Sequence, residues 1–338
     1  MIPSTNHPPP YGKIGVLLVN LGTPEGTSYW PMRRYLAEFL SDRRVIETSP
    51  VLWLPVLHLM VLSKRPTQKG KDYEAIWNRE LDEGPLKTVT RAQTEKLAAR
   101  LSDAGDTIVV DWAMRYGKPA IAEKILALQA KGCDRLLVVP LYPQYCAATS
   151  ATVADKTFDA LKKMRWQPTL RIAAPFYERP VYIEALASTL RDRMAKAAFS
   201  PDRIIVSWHG IPKDYSDRGD PYYCHCAKTT RLLGEATGLG DKMLMTFQSQ
   251  FGPKEWLQPY TLETVEGLPA EGAKNIMVIA PGFFADCLET LEELGVENQN
   301  AFLQAGGENF ALVPCLNDGA AAIDVLEDVV RRETTGWL

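Results

Sequence analysis

The sequence has no apolar run long enough to cross a bilayer, no excess of one sign of charge, and few cysteines or histidines. The apolar stretch at residues 51–62 is far short of the ~20 residues that a spanning helix needs, and Pro55 interrupts it. It is not expected to span. Lys and Arg number 38 against 41 Asp and Glu, for a net charge of −3, and no basic run interleaved with aromatics marks a nucleic-acid groove. No nucleic-acid partner is expected. Six cysteines in 338 residues do not make a disulfide framework, so they read as thiols, ligands or core fillers in a reducing compartment. The apolar residues 14–21, after a Pro-rich start, are too short and wrongly flanked for a signal peptide, and the chain reads as cytoplasmic. Also missing are a Gly-x-Ser-x-Gly elbow, a phosphate-binding Gly-rich loop, a Gly-x-Gly-x-x-Gly fingerprint and a His-Glu-x-x-His pair. Phosphate, nicotinamide and common hydrolase chemistry lose their support.

What is present is a repeated strand-then-helix beat. Apolar, β-branched runs predict strands at residues 13–20, 107–113, 135–141, 170–174, 203–207, 242–247, 275–280 and 310–313. Helical spacing predicts helices at residues 29–40, 89–101, 119–130, 152–164, 180–198, 221–236, 257–268 and 320–332. Such alternation argues for an α/β chain with parallel, doubly wound sheets and right-handed crossovers. The two halves also correspond. Asn20-Leu21-Gly22-Thr23-Pro24 answers Trp208-His209-Gly210-Ile211-Pro212, and Val139-Pro140-Leu141-Tyr142-Pro143 answers Ala280-Pro281-Gly282-Phe283-Phe284. Two similar Rossmann-like domains, each with a parallel four-stranded sheet, are therefore expected at residues 11–175 and 176–316, with a cleft between them. Residues 1–10 read as disordered, and residues 317–338 as a C-terminal helix packing back on the N-terminal domain.

The interval from Gly22 to Gly117 is more than twice that from Gly210 to Gly252, so the first half carries an insertion at residues 42–87. It holds the apolar stretch with Trp53, Leu54 and Leu57. Three readings are open: a buried helix, an apolar lip over a hydrophobic ligand, or an interfacial anchor with Lys64 and Arg65 toward lipid headgroups.

His209 stands at the end of a strand predicted to be buried, where open α/β sheets bind ligands. Its ring can accept a proton near neutral pH or ligate a transition metal. Acids come from the segment that begins Gly282-Phe283-Phe284, where Glu289 and Glu293 are four residues apart and share one helical face. A solvated face would be the bland reading. The Leu288 and Leu291 between the acids argue instead for a buried first turn, where carboxylates hold or pass protons or bind divalent ions. One histidine with carboxylates among aromatic residues suggests proton handling on a greasy ligand, with or without a metal.

At these residues the chain resembles the ferrochelatases, which insert ferrous iron into a porphyrin to complete haem. The resemblance rests on residues 15–24, Arg115-Tyr116, Tyr142-Pro143-Gln144-Tyr145, Ser207-Trp208-His209-Gly210-Ile211-Pro212, Arg218-Gly219-Asp220-Pro221-Tyr222, Gln248-Ser249-Gln250-Phe251-Gly252-Pro253, Trp256-Leu257 and Asp286-Cys287-Leu288-Glu289-Thr290-Leu291. It implies a chelatase-like fold around a porphyrin cleft, with protoporphyrin IX and ferrous iron as substrates and a peripheral membrane contact through the lip. It also implies that His209 and Glu289 are the catalytic pair to which iron is assigned, with Asp286 and Glu293 extending an acidic path. Leu21, Tyr73, Arg115, Trp256 and Phe283 would contact the porphyrin. Cys287 stands where some relatives have histidine. A cluster held by cysteines in a C-terminal extension is excluded, because no cysteine follows Cys315. An internal iron–sulfur cluster is not expected either, since it needs four thiolates and only Cys224 and Cys226 lie close in sequence. Coproporphyrin as substrate, a non-catalytic tetrapyrrole or metal carrier, and a zinc hydrolase are the competing readings. The last would need three clustered ligands, and His209 with Glu289 supplies two.

Overall fold

The computed structural model describes residues 11–102 and 107–338; the N-terminal segment expected to be disordered lies outside them. The first sheet is made by β1 (Lys13–Gly22), β2 (Ile108–Tyr116), β3 (Cys133–Pro140) and β4 (Thr169–Ile172), in the order β2-β1-β3-β4. The second is made by β5 (Arg203–His209), β6 (Met243–Gln248), β7 (Asn275–Ile279) and β8 (Asn309–Leu312), in the matching order β6-β5-β7-β8. Every pairing is parallel. This is the doubly wound, two-sheet architecture expected from the strand-helix beat. All eight predicted strands are present, and β5 runs two residues past its predicted end to include His209.

Alternation along the central strands sorts their side chains onto two faces. Leu17 and Val19 of β1 turn to α5 (Ile121–Ala130) and α6 (Thr152–Leu161), while Ile205 of β5 packs with Val265 and Phe302. The opposite faces do not form separate cores. Val16 and Leu18 from one sheet share a single apolar cluster with Ile204, Val206 and Trp208 from the other. Between them lie α4 (Pro85–Arg100), α7 (Pro180–Lys196) and α12 (Ala320–Glu333). Polar ties join the same elements: Arg100 of α4 reaches Asp324 at 2.7 Å and Glu327 at 3.0 Å on α12, and Arg171 of β4 lies over the Trp337 ring at 4.2 Å.

The insertion is helical. After α1 (Tyr29–Leu40), α2 (Pro50–Val56) leads through a widened turn, Leu57–Val61, into α3 (Leu62–Ile76). Leu57 and Leu62 are fully buried against Met32, Leu36 and Tyr73, and Leu288 of the second lobe enters the same cluster. The insertion is thereby seated on both lobes.

Candidate active site

His209 is the last residue of β5 and is half-buried, with the Phe283 ring 6.4 Å from its own. Its Nδ1 lies 2.7 Å from the carbonyl oxygen of Gly210. A carbonyl can only accept, so Nδ1 carries the hydrogen and the neutral ring presents a bare Nε2. Gly210 itself permits a close approach: a Cβ there would lie 2.9 Å from the Gln248 carbonyl and 3.0 Å from Cε3 of Trp256. Trp256 is anchored by its Nε1 hydrogen bond to the Phe251 carbonyl at 2.9 Å and by pairing with Pro212. Trp256 thus packs over the strand end that presents His209.

The acids lie on a helix wider than an α-helix, spanning Glu289–Asn298. Wide turns are uncommon and recur at functional sites; the winding continues past Gly295, leaving Glu297 exposed. The carbonyl of Glu289 accepts from Gln248 Nε2 at 2.9 Å, and Glu293 Oε2 accepts from Ser249 Oγ at 2.5 Å. Burial pushes the Glu293 carboxyl above its ordinary range, against the lowering effects of the Ser249 hydroxyl and the neighbouring His209, while Glu289 adds to the rise. Asp286 is engaged elsewhere. Its carboxylate accepts from Asn317 Nδ2 at 2.7 Å, Thr290 Oγ1 at 3.1 Å and the Cys315 N–H at 3.3 Å, which ties the strand end to the loop after β8.

Glu289 faces a group of tyrosines from the other lobe. Tyr73 is buried on α3 with Tyr35 of α1 beside it, ring centres 6.5 Å apart. Burial pushes both phenols up, and the charge of Glu289 adds to each. Tyr142, after β3, is pushed up for the same reasons and donates to Asn20 Oδ1 at 3.0 Å, next to half-buried Leu21. The sequence reading assigned Tyr73 but gave no role to Tyr35 or Tyr142; for Tyr35 the signal was its place on an apolar helix face. Cys287 is buried, and its thiol is pushed up by burial and by neighbouring Glu289.

The structure does not bring Arg115 to Tyr73. A file of rings, Tyr116, Phe39 and Tyr35, runs between them. The Arg115 guanidinium is buried against Asp42 and Thr152, so its charge is already matched. The three lip residues are also divided: Leu57 is buried, Trp53 is half-buried with Nε1 bonded to the Leu40 carbonyl at 2.7 Å, and Leu54 is exposed. The most exposed apolar side chains of the lip are Val51, Leu59, Leu52 and Met60, at 81%, 77%, 69% and 67% exposure, and Trp30 on α1 is 64% exposed. Lys64 is exposed, whereas Arg65 turns over the Phe251 ring. Of the cysteine pair, Cys224 is exposed and Cys226 buried.

Among the described residues, no group of three or more His, Cys, Asp and Glu side chains is arranged to hold a metal ion. A cavity of about 400 Å³ opens at the ends of β3 and β4, lined by Tyr142, Tyr145, Phe158 and Ile172. Neither His209 nor the acids line it, and the chemistry argues for the His209 side.

The family model for ferrochelatase matches residues 13–334. The chain belongs to the ferrochelatase family. A ferrochelatase of Agrobacterium fabrum is 57% identical over 335 residues, covering 98% of this chain and 97% of its own length. One from Rhizobium meliloti is 57% identical over 337 residues, covering 99% of each. Among solved structures, SirB from Bacillus subtilis with Fe3+ superposes with a TM-score of 0.59 at 14% identity, covering 96% of this chain and 97% of that one. The sirohydrochlorin chelatase SirB from Bacillus subtilis subspecies spizizenii, in complex with cobalt, gives 0.57 at 13% identity. At such identities the structures show the shared fold. As a member of its family the chain is a metal chelatase, a lyase of haem biosynthesis that acts on a porphyrin and ferrous iron.

Proposed function

We propose that the porphyrin is protoporphyrin IX and that insertion takes place at His209. The observation that carries this reading is the hydrogen bond from Nδ1 to the Gly210 carbonyl, which leaves Nε2 as a bare base near the half-buried acids of the wide helix. Free-base porphyrin holds two N–H protons inside a nearly flat ring, so iron enters only when the ring bends and the protons leave. Trp256 and Phe283 on one side and Leu21 with Tyr73 on the other would hold the bent ring, with contacts remote from the nitrogens offsetting the strain. His209 Nε2 takes a pyrrole proton, and Glu293, raised by burial, is able to receive it in turn. His209 and Glu289 are the ligands offered to ferrous iron, which accepts both imidazole and carboxylate. Two protons leave for each iron bound. Arg115 acts in this reading on Asp42 rather than on the macrocycle.

The lip is the second part of the proposal. Among the described residues no helix is long and apolar enough to cross a membrane, yet Leu52, Leu59 and Met60 present apolar surface beside exposed Lys64. This pattern suits peripheral contact with a lipid surface, from which a hydrophobic porphyrin would be collected.

The deciding experiment follows iron insertion into protoporphyrin and coproporphyrin side by side, in the wild type and in His209→Ala. Loss of a general base typically costs ~10²–10⁴ in rate, so turnover should nearly vanish while porphyrin binding persists. Near-normal turnover in the variant would refute the assignment of His209, and preference for coproporphyrin would replace the substrate.

A further inference from the structure

Ser249 follows the last residue of β6 with its backbone at φ +65°. This left-handed region suits glycine, and a residue with a Cβ enters it at a cost. Strained positions of this kind persist when the surroundings hold them.

What holds Ser249 is its own side chain, whose hydroxyl donates to Glu293 Oε2 at 2.5 Å. The preceding residue does a parallel job. Gln248 Nε2 donates to the Glu289 carbonyl at 2.9 Å, while its Oε1 accepts from Ser207 Oγ at 2.8 Å. Ser207 belongs to a buried hydroxyl cluster with Thr261 and Thr246. Two consecutive residues at one strand end thus grip the wide helix at both of its inward acids. Gln248 is also paired across the ladder with His209, so the grip sets the acids relative to the imidazole.

We propose that Ser249 is a positioning residue of the insertion reaction, fixing the Glu293 carboxylate in one orientation toward His209. It acts through Glu293 and needs no contact with porphyrin or iron. The proposal rests on the reading of Glu293 as the proton relay.

The test compares steady-state kinetics and thermal unfolding of Ser249→Gly, Ser249→Asn, Glu293→Gln and the double variant Ser249→Gly/Glu293→Gln. Glycine relieves the backbone and removes only the hydroxyl; asparagine tolerates the same backbone and restores a donor. Ser249→Gly should unfold at or above the wild-type Tm, with kcat lowered about 10-fold and the KM for porphyrin unchanged. Ser249→Asn should recover most of that loss, and the double variant should be no slower than Glu293→Gln alone. A fall in Tm that tracks the lost activity without rescue by asparagine would overturn the proposal. Wild-type turnover in Ser249→Gly beside a slow Glu293→Gln would remove the role of Ser249 alone. Wild-type turnover in Glu293→Gln would remove the relay itself.

Discussion

The guanidinium of Arg65, on α3, lies 4.5 Å from the centre of the Phe251 ring in the other lobe. Phe251 in turn holds Trp256 through its carbonyl, so one contact runs from the insertion to the residue packed over His209. A partly desolvated cation–π contact is worth about 1–2 kcal/mol. Arg65→Ala should therefore loosen the insertion while leaving both sheets intact. Amide hydrogen exchange should quicken in residues 50–76 and in the loop 249–256, with the central strands unaffected. Unchanged exchange in both segments would show that the contact does not hold them.

Substitutions on the lip should divide according to burial. Leu52→Asp and Leu59→Asp alter exposed apolar surface and should weaken association with liposomes without lowering Tm. Trp53→Asp removes the indole bonded to Leu40 and should lower Tm as well. Liposome flotation beside thermal unfolding distinguishes the two classes, and normal flotation of both leucine variants would remove the membrane reading.

Asp42 supplies a prediction about pH. Burial would raise its carboxyl, but the Thr152 hydroxyl, the Arg44 N–H and the Arg115 guanidinium prevail and hold it below its ordinary value of 3.8. A depressed carboxylate contributes stability that is complete above its unfolded pKa and is lost as pH falls through the folded one. Asp42→Asn leaves the buried Arg115 with only Glu38, at 3.8 Å, as a charged partner, so the cost should fall below the about 3–5 kcal/mol of a fully broken buried pair. Urea unfolding should show the full gap between wild type and variant at neutral pH and a closing gap below pH 3.8. A gap that stays constant into acid would show that the ionised carboxylate is not its source.

Gly210→Ala tests the packing at the strand end. The added methyl meets the Gln248 carbonyl and the Trp256 ring at about 3 Å, so one of them must move, at a cost of about 1–3 kcal/mol. Porphyrin affinity should fall together with Tm. Wild-type affinity would show that Trp256 does not bound the porphyrin site.

The strands were legible because each is a short apolar run closed by glycine, proline or a polar turn, and His209 was legible because it ends such a run. The facing of Glu289 and Glu293 was readable as helical spacing, although the widening of that helix was not, since residues four apart share a face in either winding. Other features depend on contacts between distant segments. Nothing near Arg115 in the sequence announces Asp42, and nothing near Glu289 announces Tyr142. The role of Ser249 depends on a backbone angle, which a serine in a Gly/Pro-containing loop does not advertise. The lip was visible as apolar, but which of its residues turn inward depends on Met32, Leu36 and Leu288, supplied from elsewhere in the chain.

The apolar cluster that runs from Val16 and Leu18 to Val206 and Trp208 makes the two repeated halves a single cooperative unit. Either half expressed alone would present to water the face it now buries against α7 and α12, so the boundary between the repeats is no place to divide the chain. Heating should melt both sheets in one transition, with equal calorimetric and van't Hoff enthalpies. The lobes are consequently not free to swing apart about a hinge, and access for a flat ring as large as a porphyrin falls to the insertion, which is seated on both lobes from outside the shared core.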